Sequence, residues 1–164
     1  MKTERLQPEI RFLLDRIDES YEKKAWHGPN LRGSIRGLTA EQAAWRPGRG
    51  RHNIWEIVLH VAYWKYAVRR RLLGEKRGSF PLKGSNWFAA PEEVSNEAWQ
   101  TDIQLLEAVH RTMRNAISEL RVEDLARIPR GGKVSNQGVI SGIASHDVYH
   151  TAQIQLIKRL MKRA

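Results

Sequence analysis

The chain has 164 residues, no cysteine, and 28 Lys and Arg against 18 Asp and Glu, for a formal net charge of +10. Its length fits a single domain over residues 1–164, and the lack of cysteine excludes disulfides, thiolate metal ligands and a cysteine nucleophile. No apolar run is long enough to span a bilayer and the N-terminus lacks the apolar stretch of a signal peptide, so a cytoplasmic protein without a membrane partner is the expectation.

The first long pattern runs from Thr3 to Ala25, with Ile10, Leu13, Leu14, Ile17 and Tyr21 at helical spacing and Gly28-Pro29 as its stop. Leu31 to Leu38 reads as a short helix. Thr39-Ala-Glu-Gln42 then carries a capping-box pattern, in which the Thr side chain and the Gln side chain each satisfy the other's backbone N–H. Arg49-Gly50-Arg51 forms a basic loop.

The second long helix is expected from Asn53 to Leu73, with Ile54, Ile57, Val58, Val61, Trp64, Val68 and Leu72 along one face and Gly74 as a C-terminal stop. Residues 75–94 hold Gly78, Pro81, Gly84 and Pro91 and read as a long loop around Trp87 and Phe88. A third helix follows from Ser95 to Leu120, and a fourth begins near Ser135. Between them, residues 128–134 have the composition of a small hairpin or extended turn.

No period-two series is convincing, so the class is all-α. Four amphipathic helices of this length are the elements of a four-helix bundle, and the roughly 27 residues between the first two are enough to cross its length.

The fourth helix presents Val139, Ile143, His146, His150, Ile154, Ile157 and Met161 along one face. Two imidazoles at i and i+4 point the same way and can converge on one ion, and each needs a polar partner if buried. His-x-x-x-His is also part of the zincin signature, but Asp147 stands where that signature has its glutamate, and the residues after His150 offer no third ligand. His60, at the edge of the second helix's stripe, is the best upstream candidate. His110 follows, placed on the flank of the third helix. His27 and His52 lie in loops and read as solvated or capping residues, with His27 kept as a candidate for the rim of the pocket.

Three imidazoles on two helices would leave a coordination position open for water or substrate, as catalytic sites do, and zinc, nickel and ferrous iron all accept imidazole. Glu56, one turn before His60, and Gln153, three residues after His150, are weaker candidates for assisting at such a site. Trp26, Tyr63, Trp64 and Trp87 are candidates for its mouth, and Asp147 and Tyr149 point away from the histidine face. Arg69-Arg70-Arg71 and the basic end of the fourth helix suit helix dipoles. If continuous, they would also suit nucleic acid, which keeps a non-enzymatic nucleic-acid- or partner-binding bundle as the alternative.

The stretch "HNIWEIVLHVAYWKYAVRRRL", followed by "HDVYH" on the last helix and preceded by "AWHGPNL" and "LTAEQAAWRP", resembles the DinB-like superfamily over nearly the whole chain. The resemblance implies a bundle in down-up-up-down order, a metal triad of His60, His146 and His150, and a homodimer. Members of that superfamily include bacillithiol- and mycothiol-dependent transferases and maleylpyruvate isomerase. A divalent-metal enzyme acting as a thiol-dependent transferase or hydrolase, with a low-molecular-weight thiol as cosubstrate, is the function so implied.

Overall fold

The computed structural model describes residues 7–163. Its helices are α1 (Pro8–Tyr21), α2 (Leu31–Ile35), α3 (Ala40–Ala44), α4 (Ile54–Leu73), α5 (Asn96–Ser118), α6 (Val122–Leu125) and α7 (Asn136–Met161). Among the described residues there is no strand, only an isolated bridge between Ala25 and Gly28. No helix among them is long and apolar enough to cross a membrane.

The helix ends follow local chemistry. Asn53 accepts from the backbone N–H of Glu56 while the Glu56 side chain accepts from that of Asn53, which starts α4. Thr39 and Gln42 form the same reciprocal pair at α3. Ser95 and Ser135 cap α5 and α7 through their hydroxyls. Gly74 ends α4 with φ +68, a left-handed conformation that costs glycine little.

Side-chain pairs set the helix directions. Along α4, Trp55 packs on Trp99 of α5, while Val68 shares a cluster with Met113 further along that helix, so α4 and α5 are parallel. His60 meets His150 and His146, and the later Lys65 meets Asp147, so α4 and α7 are antiparallel. Tyr21 stacks on His110 and the earlier Asp18 binds Arg114, so α1 is antiparallel to α5. The result is a bundle of α1, α4, α5 and α7 in down-up-up-down order.

These directions correct the expectation about connections. Because α4 and α5 are parallel, residues 74–95 make the full crossover, and the segment after α1 does not. The helical reading of residues 22–25 also fails. Glu22 leaves helical geometry at φ −142, and Asn30 Nδ2 donates to Lys23 O at 2.8 Å, folding the chain toward α2. Residues 3–6 of the expected first helix lie outside the described residues. Residues 128–134 form a turn, closed by Gly132 N–H to Pro129 O at 2.9 Å, and not a hairpin.

The core consists of two apolar clusters, and α1 contributes to both. One apolar cluster joins Leu31, Ile35, Ala40 and Ala43 to the first half of α4, to Trp99 and to Ile154 and Ile157. The other joins Ile10, Leu13, Leu14 and Ile17 to Val68, Met113, Ile140 and Ile143. Each fully buried Leu or Ile contributes about 1.5–3 kcal/mol relative to exposure. Between the clusters lies a belt of polar side chains containing the histidines.

Candidate metal centre

Histidines 60, 146 and 150 come together in this belt, with one ring nitrogen from each lying within 4.8 Å of the others. His146 Nε2 is 3.1 Å from His60 Nε2 and 3.1 Å from His150 Nε2. Nitrogens bound at the usual zinc distance and tetrahedral angle lie about 3.3 Å apart. Two of the three spacings are therefore close to those of a chelating set.

The opposite ring nitrogens decide the protonation. His60 Nδ1 lies 2.8 Å from the backbone oxygen of Asn86, which only accepts, so Nδ1 carries the proton. His150 Nδ1 lies 2.7 Å from Gln153 Oε1 and donates in the same way. Both residues then turn an Nε2 lone pair toward His146, which has at most one proton to share between two acceptors. A cation resolves that conflict, so the donor set fits a divalent ion bound through nitrogen alone. The remaining ring nitrogen, His146 Nδ1, is buried without a hydrogen-bond partner.

Electrostatics favours the same state. Burial, together with the neighbouring His150 and His60, pushes His146 down to about 3. Burial and His60 push His150 down to about 4. Burial also lowers His60, against the effect of its Asn86 hydrogen bond. Neutral imidazoles are the form a metal binds, so no proton has to be displaced near pH 7.

The walls come from the crossover. Asn86 is the only non-glycine residue with positive φ among those described, at +70. Asparagine tolerates that conformation better than most residues. Its backbone oxygen holds His60 while its side-chain oxygen accepts from Trp64 Nε1 at 2.9 Å. Next to it, Trp87 lies flat on His60, ring centroids 3.9 Å apart, and its other stacking partner is His52 at 3.7 Å. A cleft of about 490 Å³ reaches His146, and another of about 640 Å³ reaches Trp87 and Gln153.

Other expected residues fall differently. The Glu56 carboxylate binds Arg46 at 2.6 Å and His52 at 2.9 Å. Burial alone would raise its pKa, but those hydrogen bonds outweigh it and hold the group below its usual range. Trp64 borders the site, whereas Trp26 is fully exposed and Tyr63 packs against Phe80 and Phe88. His27 and Tyr149 are exposed. His110 overturns its flank placement: it is 4% exposed and stacks on Tyr21 at 3.6 Å, because α1 covers the side of α5 that spacing alone assigned to solvent.

Two features have little sequence signal. Asn86 sits in a segment without periodicity. Lys65 and Asp147, both fully buried, form an ion pair directly behind the triad. Lysine within an apolar stripe was the available hint for that pair, and its partner is 82 residues away.

The sequence profile of the DinB superfamily matches residues 25–154. No curated protein matches the sequence. A crystal structure of a conserved protein from Enterococcus faecalis is similar in fold, with a TM-score of 0.63 over 95% of this chain and 94% of that one, at 14% identity.

Proposed function

The chain belongs to the DinB superfamily, and from that membership and the triad's geometry we propose that it is a metal-dependent enzyme, a thiol-dependent transferase or hydrolase. His60, His146 and His150 would hold a divalent ion, zinc, nickel or ferrous iron, through their Nε2 atoms. The observation that carries this reading is the convergence of three Nε2 atoms, two of them with their Nδ1 protons engaged elsewhere.

Such an ion, with a coordination position open, supplies Lewis acidity that lowers the pKa of a water or small thiol. The chain's own residues do the rest. Asn86 O and Gln153 Oε1 accept the Nδ1 protons of His60 and His150 and fix their ring orientations, a role that strengthens a histidine ligand. Trp87 and Trp64 cover the His60 ring and limit water there. Glu56, occupied by Arg46 and His52, serves to anchor the loop before α4.

Metal analysis of the purified protein tests the site: wild type should carry one ion per chain, and His60→Ala and the His146→Ala/His150→Ala double variant should carry none. Thiol consumption against a panel of electrophiles tests the reaction, with those variants as blanks. Full occupancy in the variants, or thiol turnover independent of the histidines, would sink the reading. A homodimer is part of the proposal, supported by the exposed apolar stripe of Tyr149, Leu156 and Leu160 on α7. Light scattering of the purified protein would reveal a monomer if that part is wrong.

A further inference from the structure

The cleft that reaches His146 runs along Trp64, between α4, α7 and the 129–134 turn. At about 490 Å³ it falls within the size range of small-molecule pockets. Val68, Val139 and Ile143 make its sides apolar, and among the described residues its charged lining residues are Arg71 and Lys133.

Both cations sit beside an apolar wall, with their charges not taken up by a neighbouring acid among the described residues. Arg69, on the same turn as Arg71, is paired with Glu75 at 2.9 Å. Among the described residues neither Arg71 nor Lys133 has a carboxylate partner within salt-bridge distance. Arg71 instead lies over the Trp64 ring, 5.6 Å from its centroid, while the ring centroid of Trp64 is 6.4 Å from that of His146. One aromatic side chain thus reaches from the triad to the Arg71 guanidinium.

Gly142 supports the same conclusion. It lies within α7, where alanine would favour the helix. Neither backbone conformation nor packing requires glycine there: its φ is not positive, and a Cβ would meet nothing within 4 Å. The space at that position belongs to the cleft.

Resting on the metal-enzyme reading above, we propose that this cleft binds a substrate with an apolar body and an anionic group. The body lies along Trp64, the reacting end faces the triad, and the anion is held by Arg71 and Lys133. The charge fixes which end of the substrate reaches His146.

Three matched probes test this in the metal-loaded protein: 4-phenylbutyrate, 4-phenylbutan-1-ol and 4-phenylbutylamine, titrated by calorimetry. The carboxylate should bind at least tenfold tighter than the alcohol, and the amine weakest. Arg71→Gln/Lys133→Gln should bring the carboxylate and alcohol to equal affinity. Gly142→Leu should weaken all three at least tenfold, with metal content and far-UV circular dichroism unchanged.

No binding of any probe at millimolar concentration, or unchanged binding in Gly142→Leu, would overturn the proposal. So would a carboxylate preference that survives Arg71→Gln/Lys133→Gln and disappears on chelation, since the anion would then be a metal ligand. A protein that holds no metal yet shows the cation-dependent preference would support the cleft assignment and overturn only the metal reading.

Discussion

The bundle buries two polar clusters side by side at the same level, and they are stabilised in opposite ways. In the triad, three neutral imidazoles turn acceptor atoms toward one point, one cleft reaches His146 from outside, and another reaches the neighbouring Trp87 and Gln153. Behind it, Lys65 and Asp147 neutralise each other where no solvent reaches, with Lys65 Nζ 5.0 Å from the Tyr21 ring centroid. Burial pushes the Lys65 ammonium down and the Asp147 carboxyl up, so each charge depends on the other. The donor set of the first cluster fits an ion from outside the chain, whereas the second is completed by the chain itself. Adjacent residues of α7, His146 and Asp147, serve the two roles because successive helical positions face about 100 degrees apart.

Breaking the closed cluster should give the largest effect. Lys65→Met or Asp147→Leu leaves one buried charge unpaired and should cost about 3–5 kcal/mol in urea unfolding, whereas the double variant should recover most of that loss. Equal losses in the single and double variants would show that packing, and not charge, is what matters at these positions.

The open cluster should respond to metal where the closed one does not. At a free-ion concentration of 100 times Kd, a divalent ion should stabilise wild type by about 2.7 kcal/mol. Thermal unfolding of His146→Ala/His150→Ala should show no such shift, and Lys65→Met/Asp147→Leu should keep it.

Smaller changes sharpen the contrast. Gln153→Leu removes the acceptor for the His150 Nδ1 proton and should weaken metal binding roughly 10- to 100-fold in a competition titration with a chromogenic chelator. Unaltered affinity would deny Gln153 a positioning role.

Outside both clusters, His110 gives a pH dependence that is small near neutrality and grows only on acidification. Burial, with the Lys65 charge second, pushes its pKa down to about 2. Its pKa is therefore lower folded than unfolded, so the unfolded chain binds the extra proton once pH falls below about 6.5. Stability should then decline with falling pH by up to about 1.4 kcal/mol per unit from this residue, and have no contribution from it above pH 8. His110→Phe, which keeps a ring against Tyr21, should make the acid side of the stability profile shallower in chelator-treated protein.

Much of the fold was legible because its signals are local. Helical spacing marked α4, α5 and α7 to within a residue or two, the Thr39 to Gln42 pattern formed its capping box, and Gly74 stopped its helix. The i, i+4 pair of His146 and His150 was visible for the same reason, since one helix sets their directions. His60 could be nominated from its place on the α4 stripe. Its convergence with the other two was not calculable from spacing, because it depends on how α4 and α7 are set against each other.

By itself, then, the sequence determined the helices, their caps and the histidine pair, all fixed by interactions within about one helical turn. Only the tertiary structure decided the rest. The burial of His110 required α1 beside α5, and the pairing of Lys65 with Asp147 required two antiparallel helices in register. The orientation of His60 required the crossover to present the Asn86 carbonyl at a positive φ. Those outcomes depend on packing between distant segments, and a one-dimensional pattern carries no measure of that distance.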